Sequence, residues 1–406
     1  MYMRKGFLFL ILHTVLGCLV AQAHTPAALT TNEQDRTQFA RHEATHTPST
    51  NEIENSWTHA KEFFYQYHID VGATVSFLAQ RVAPAGKQTS IQAVYNPYVS
   101  WHAFESETWG SGEINLNYTF VHYWARQAAT LQNRANLAVS INNFEDNQKN
   151  WAQFSYTHTL PQAWDFLSLT VGQYAIDDSD GTQFVDDQQT FLLHHSLSQN
   201  ESALYPDSSF GAFAQATLNE FTFTTGYQDA NNLTGEQIRL GDAFDGQYTT
   251  FGAVMWAPTF AVGTAQYGFL YYYQPSTQKR PGGGHGWSFN VQQNIGSTWA
   301  VFARANGATE GILPVKQSYA LGGALLNPLG RNAQDALVFA VGHNRLSRQG
   351  LDNPAKMHPS ETVLEAQWIW GLGKLVTLTP DLQIIPRAGL GNHPVAVFGL
   401  RTTTLL

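Results

Sequence analysis

From residue 63 onward the chain alternates. Between Tyr65 and Phe77 every second residue is apolar or aromatic, while Gln66, His68, Asp70, Gly72, Thr74 and Ser76 hold the other face. A period of two is the signature of a strand with one greasy face. About a dozen residues is long for a soluble strand and suits a tilted strand that crosses a bilayer. The pattern recurs. Ile114, Leu116, Tyr118 and Phe120 alternate with Glu113, Asn115, Asn117 and Thr119; Ala135, Leu137, Val139 and Ile141 alternate with Arg134, Asn136, Ser140 and Asn142. Further runs lie at 153–157, 167–172, 288–292, 361–370 and 376–384. Turn-formers separate them, among them Pro281-Gly282-Gly283-Gly284 and Asp352-Asn353-Pro354. The spacing predicts roughly 16 to 18 strands in one body over 61–406.

The polar face decides between a membrane barrel and a soluble sandwich. A soluble protein would show Lys and Glu there. Here it is mostly Asn, Gln, Ser, Thr and Gly, which suits a wet lumen, and the apolar face then meets lipid. Aromatics near strand ends fit interfacial girdles: Trp101, Trp124, Trp256, Tyr271 to Tyr273, Trp299, Trp368 and Trp370. The expected fold class is all-β, a transmembrane antiparallel barrel with a short polar leader.

The leader spans 24–60. It is rich in Thr, His, Asn and Glu, with a short helix expected over Glu52 to Phe64, where Ile53, Trp57 and Ala60 fall at helical spacing. Its histidines (His24, His42, His46, His59) match no compact metal motif and read as solvated linker residues. Residues 1–23 read as a cleavable signal: Arg4 and Lys5, an apolar Phe7 to Val20, then Ala21-Gln22-Ala23. Val15-Leu16-Gly17-Cys18 loosely resembles a lipoprotein signal, but Leu16 stands where a small residue is usual.

Composition sharpens this picture. Only 13% of residues are charged and 13% are aromatic, about half the charge usual in a soluble domain. Removing Arg4 and Lys5 from the 22 basic residues leaves 20 against 31 acidic ones, a net charge of −11. That argues against nucleic acid as a partner. Catalytic motifs are missing: no Gly-x-Ser-x-Gly, no Walker loop, no His-Glu-x-x-His. Glu361 and Glu365, on one strand, would lie about 13 Å apart, too far for either glycosidase geometry. Asp177, Asp178, Asp180, Asp186 and Asp187 form an acidic cluster without regular calcium spacing, expected as a solvated external loop. His194-His195 is expected near a strand end. Neither enzyme activity nor a cofactor is expected.

Several motifs then point to a family. Val301-Phe302-Ala303-Arg304, Leu321-Gly322-Gly323 through Gly330-Arg331 and Asp335, Glu361-x-x-x-Glu365, Pro380-Asp381-Leu382-Gln383 and Gly399-Leu400-Arg401 occur in the order of the carbohydrate-selective porin (OprB-type) family. Val171-Gly172-Gln173, Ser209-Phe210-Gly211-Ala212 and Gly226-Tyr227-Gln228-Asp229-Ala230-Asn231 resemble its middle section. The resemblance covers roughly 150 to 406. The terminal Leu406, where outer-membrane barrels commonly carry Phe, and the leader depart from it. The resemblance implies a 16-stranded outer-membrane channel passing glucose and other small sugars down their gradient.

Such selectivity needs side chains that can hold sugar hydroxyls. By strand parity the inward candidates are Asp70, Glu113, Arg134, Arg304, Glu365, Asp381 and Arg401, with His68 and His102 as neutral partners. Arg304, Glu365, Asp381 and Arg401 also lie in the family-like motifs. The same residues could instead brace the wall as an ion lattice, and both readings stay open. The expected partners are small neutral sugars and outer-membrane lipid, with assembly as a homotrimer left open. A general or polysaccharide-exporting barrel, or a secreted soluble carbohydrate-binding protein, are the alternatives.

Overall fold

A computed structural model describes residues 51–406, apart from 85–87, 242–243, 245, 310–311 and 349–356. The expected signal peptide and most of the leader lie outside the described residues. Helix α1 (Asn51–Tyr65) covers the helix expected at the leader's end.

The strands follow as β1 (Ile69–Ala83), β2 (Thr89–Ser106), β3 (Gly110–Tyr123), β4 (Gln148–Thr159) and β5 (Leu167–Tyr174). Next come β6 (Ser209–Leu218), β7 (Phe221–Asp229), β8 (Tyr248–Trp256), the two-residue β9 (Thr259–Phe260) and β10 (Gly263–Gln274). The rest are β11 (Gly284–Ile295), β12 (Trp299–Thr309), β13 (Val315–Leu326), β14 (Ala336–Leu346), β15 (Ser360–Leu372), β16 (Val376–Ile385) and β17 (Val395–Leu405). Sequence neighbours pair antiparallel, β8 pairs β10 directly, and β17 returns to β1 with Leu78 opposite Arg401. Sixteen strands therefore close a barrel, with β9 as a short extra. Closure leaves no unpaired edge, which a strand needs in lipid.

Outward positions are greasy and exposed, as at Phe77, Phe269, Phe289, Leu321, Phe339, Phe398 and Leu400. Trp101, Trp299 and Trp368 ring one end; Trp124, Tyr271 and Tyr273 ring the other, all exposed. Tyr272 departs from the expected girdle. It points inward and is buried, because parity sends it to the opposite face from Tyr271 and Tyr273.

The two ends differ. One carries short turns, such as 107–109, 219–220 and 373–375; the other carries the long connections 124–147, 175–208 and 230–247. In outer-membrane barrels the short turns face the periplasm.

The expectations fail in four further places. The strand read from residue 63 begins only at Ile69, because α1 runs to Tyr65 and His68 turns the chain with φ 58°. The alternating run 134–142 is no strand. Arg134 ends the short helix α2 (Ala128–Arg134), and the residues after it form a connection folded into the barrel. The acidic cluster at 177–187 is likewise not an external loop. It belongs to the connection 175–208, which also turns inward. His194-His195 sits there too, at the start of α3 (His195–Ser198), away from any strand end.

Candidate functional site

The site is the barrel interior and the two connections that enter it. Segment 124–147 joins β3 to β4, and segment 175–208 joins β5 to β6. Both carry apolar side chains that a solvated loop would not bury: Leu131, Leu137, Val139, Ile141, Phe184, Val185, Leu192 and Leu197, each at 0 or 1% exposure. Most of them pack on apolar wall positions, among them Val82, Val94, Phe302, Val338, Val363 and Val397. Phe184 stacks on Phe302 with ring centroids 5.3 Å apart. The interior is thus greasy where a connection lies against the wall and polar elsewhere.

A connection with no ladder of its own still has backbone N–H and C=O groups to satisfy. Wall charges do this. Glu361 on β15 accepts the N–H groups of Ala138 at 3.0 Å, Val139 at 3.1 Å and Gly389 at 2.6 Å. Four residues on, along the same face of β15, Glu365 accepts those of Leu193 at 2.6 Å and His194 at 3.0 Å. On β17, Arg401 donates to the carbonyls of Gln188, Thr190 and Phe191, and Thr403 donates to that of Gln189 at 2.6 Å. Arg304 on β12 donates to the carbonyls of Asp180 and Val185 and to Asn290 Oδ1. Amides finish the pattern: Gln80 and Gln383 both donate to Ile141 O, at 3.1 and 3.0 Å. Charge-assisted bonds of this kind contribute more than neutral ones, about 1.5–3 kcal/mol each.

Four of the nine expected site residues are therefore sealed. Arg304, Glu365, Asp381 and Arg401 point inward as parity requires, yet are 1–6% exposed. Asp381 neighbours Glu365 and accepts from Gln383 Nε2 at 3.3 Å, and Gly399 opposite leaves room for it. Glu365, Asp381 and Arg401 form one cluster under residues 188–194.

The other half of the wall stays open. On β2, β3, β4, β6 and β7 the inward Asn96, Tyr98, Glu113, Asn115, Asn117, Gln153, Thr157, Gln215 and Thr222 are only partly buried. Glu113 accepts the Ser100 hydroxyl and lies 3.8 Å from His102. Asp70 and His68 stand exposed at the short-turn mouth. Arg134 joins none of these groups; it is an exposed helix-terminal residue of the inserted segment.

The inserted segment 175–208 is strongly acidic. Its Asp178 and Asp207 reach solvent, and Asp177, Asp186 and Asp187 are half-buried. Burial, followed by the charges of Asp178, Asp186 and Asp207, pushes the Asp177 carboxyl well above the usual carboxylate range. His195 pairs with Glu201 at 2.9 Å. Among the described residues no group of three His, Asp or Glu side chains converges as a metal ion requires.

Sequence reasoning missed Glu361 as an anchor, and also missed the 124–147 and 175–208 segments as interior. The signal was present. Leu192-Leu193 and Phe184-Val185 are apolar pairs inside otherwise polar connections.

Comparison with known proteins places this geometry. Residues 104–406 match the family model described as carbohydrate-selective porin, OprB family. Porin AaxA of Chlamydia pneumoniae is 34% identical over 323 residues, covering 78% of this chain and 73% of that protein. Porin AaxA of Chlamydia abortus (strain DSM 27085 / S26/3) is 35% identical over 318 residues, covering 78% and 70%. The high-pH structure of Pseudomonas putida OprB superposes with a TM-score of 0.72 at 14% identity, covering 86% of this chain and 97% of that one. Its low-pH structure gives 0.58 at 12% identity. At such identity the two structures speak for the fold alone.

Proposed function

This chain belongs to the carbohydrate-selective porin, OprB family, and from that premise we propose that it lets small neutral sugars of glucose size diffuse passively into the periplasm. Porins are channels, not enzymes, and a barrel of this kind resides in the outer membrane. The observation that carries the sugar reading is the half-open wall of amides and hydroxyls around Glu113. Such groups exchange hydrogen bonds with a sugar as readily as with water, so binding is weak enough for release. In this reading Glu113, Asn115 and His102 touch the solute, with Asp70 and His68 at the mouth. Arg304, Glu365, Asp381 and Arg401 act through the segments they hold. Residues 1–23 serve as a cleaved signal, and 24–60 as a periplasmic leader ahead of the 61–406 barrel. The test is swelling of liposomes carrying the purified protein. Glucose should enter faster than a neutral amino acid of similar size; equal rates would reduce the protein to a general porin.

One observation favours a second reading. No Lys or Arg occurs from 150 to 238, a stretch holding Asp177, Asp178, Asp180, Asp186, Asp187, Glu201 and Asp207. That stretch includes the whole inserted acidic segment. A narrow passage edged by one sign of charge concentrates solutes of the other. On this reading small cations pass in preference to anions. Reversal potentials in a salt gradient decide it: a potential of zero would remove the reading.

A further inference from the structure

The outer face of the barrel carries a second chemistry, at the rim of the long connections and away from the lumen. Over most of its height this face is apolar. On β13 to β15 the outward residues change to polar within one strand step: Tyr319 and Leu321 give way to Gln317, Phe339 and Val341 to His343 and Arg345, and Leu364 to Thr362. The pairing sets Gln317 opposite Arg345, and Tyr319 and Thr362 on either side of His343. The register shifts between Val315 and Gln317, so Lys316 is the extra residue of a bulge, and it is exposed. A bulge re-aims side chains at a strand end. Here the bulged residue is a lysine, next in the chain to Gln317, the cross-strand partner of Arg345.

The group is organised. Arg345 Nη1 donates to Gln317 Oε1 at 2.8 Å, and the Tyr319 hydroxyl donates to the same oxygen at 3.3 Å. His343 Nδ1 lies 2.9 Å from Thr362 Oγ1. The bond to Gln317 engages one of the five donors in a guanidinium fork, whose shape matches two oxygens of a phosphate. Two full positive charges sit on a chain with only 13% charged residues. Directly below them the exposed Tyr319, Leu321 and Phe339 offer an apolar wall.

We propose that Lys316, His343 and Arg345 form a binding site on the barrel's outer face for the phosphorylated headgroup of an outer-leaflet glycolipid. The headgroup phosphate rests on the Arg345 guanidinium and the Lys316 ammonium. Its acyl chains run down the Leu321–Phe339 surface. A soluble phosphate could use only the upper half of this arrangement, whereas an anionic amphiphile uses both. The site is independent of which solute the lumen passes.

The experiment uses the full-length protein in detergent, titrated with lipid A and followed by native mass spectrometry. A double variant, Lys316→Gln with Arg345→Gln, should weaken lipid A binding at least tenfold while leaving heat-modifiable gel migration and glucose swelling unchanged. Arg81→Gln, at another point of the same rim, should leave binding as in the wild type. Dephosphorylated lipid A should bind the wild type as weakly as lipid A binds the double variant. Inorganic phosphate at millimolar concentration should fail to displace lipid A. The proposal is overturned if the double variant binds like wild type, if Arg81→Gln weakens binding equally, or if phosphate-free lipid binds as well.

Discussion

Glu361 and Ala138 are joined by a hydrogen bond of 3.0 Å across 223 residues of chain, the wall carboxylate accepting the backbone N–H of a segment that has no strand partner. Glu365 and Leu193 repeat the arrangement at 2.6 Å. In both cases a side chain on the barrel substitutes for the neighbouring strand that a segment inside a lumen lacks.

Replacing Glu361 by Ala should therefore loosen the interior without opening the barrel. Three N–H groups lose their acceptor, at about 1–3 kcal/mol for each one left unsatisfied. Gel migration of the unheated barrel should stay native while single-channel current becomes noisier and larger. A quiet channel of unchanged conductance would show that the anchor is dispensable.

Arg401→Lys should act on the other inserted segment. One ammonium cannot reproduce the planar fork that now serves the carbonyls of Gln188, Thr190 and Phe191. Residues 188–191 should lift from the wall, altering the largest sugar admitted. Swelling rates over a series of mono-, di- and trisaccharides measure this, and an unshifted size limit would argue against it.

Phe302→Ala removes the ring on which Phe184 stacks at 5.3 Å. A buried Phe→Ala change typically costs about 3–5 kcal/mol. The expected result is faster proteolysis within 175–208 at intact barrel, seen by mapping the cleavage sites. Cleavage confined to the terminal leader would contradict it.

The acidic segment should make selectivity depend on pH. Because the Asp177 carboxyl sits well above the usual range, it takes up its proton at a higher pH than an ordinary carboxylate of about 3.9. As pH falls through that raised value its negative charge is lost. Cation preference should thus decline earlier than for a free carboxylate, and Asp177→Asn should flatten the early part of the curve. Reversal potentials titrated from neutral to acid check this; a variant curve that overlays the wild type would exclude Asp177 as the cause.

Glu113→Gln tests the open wall. The carboxylate that accepts the Ser100 hydroxyl and neighbours His102 becomes an amide with one acceptor oxygen. Glucose swelling should slow several-fold, with inert-ion conductance little changed. Equal losses in both would point to a narrowed passage in place of a lost contact.

Alternation in the sequence by itself determined the barrel. With a period of two, a strand has only two faces, and one greasy face with one amide-and-hydroxyl face is stable in lipid only when the sheet closes. The inward direction of Arg304, Glu365, Asp381 and Arg401 followed from the same parity. What those groups face was decided by tertiary structure alone. Ala135, Leu137, Val139 and Ile141 alternate like a strand, yet their segment lies inside the barrel, because Glu361 and the amides Gln80 and Gln383 satisfy its backbone. Those partners come from strands far away in the chain. Periodicity is a local property, so it could register the greasy side chains of 135–141 but not the wall that would cover them.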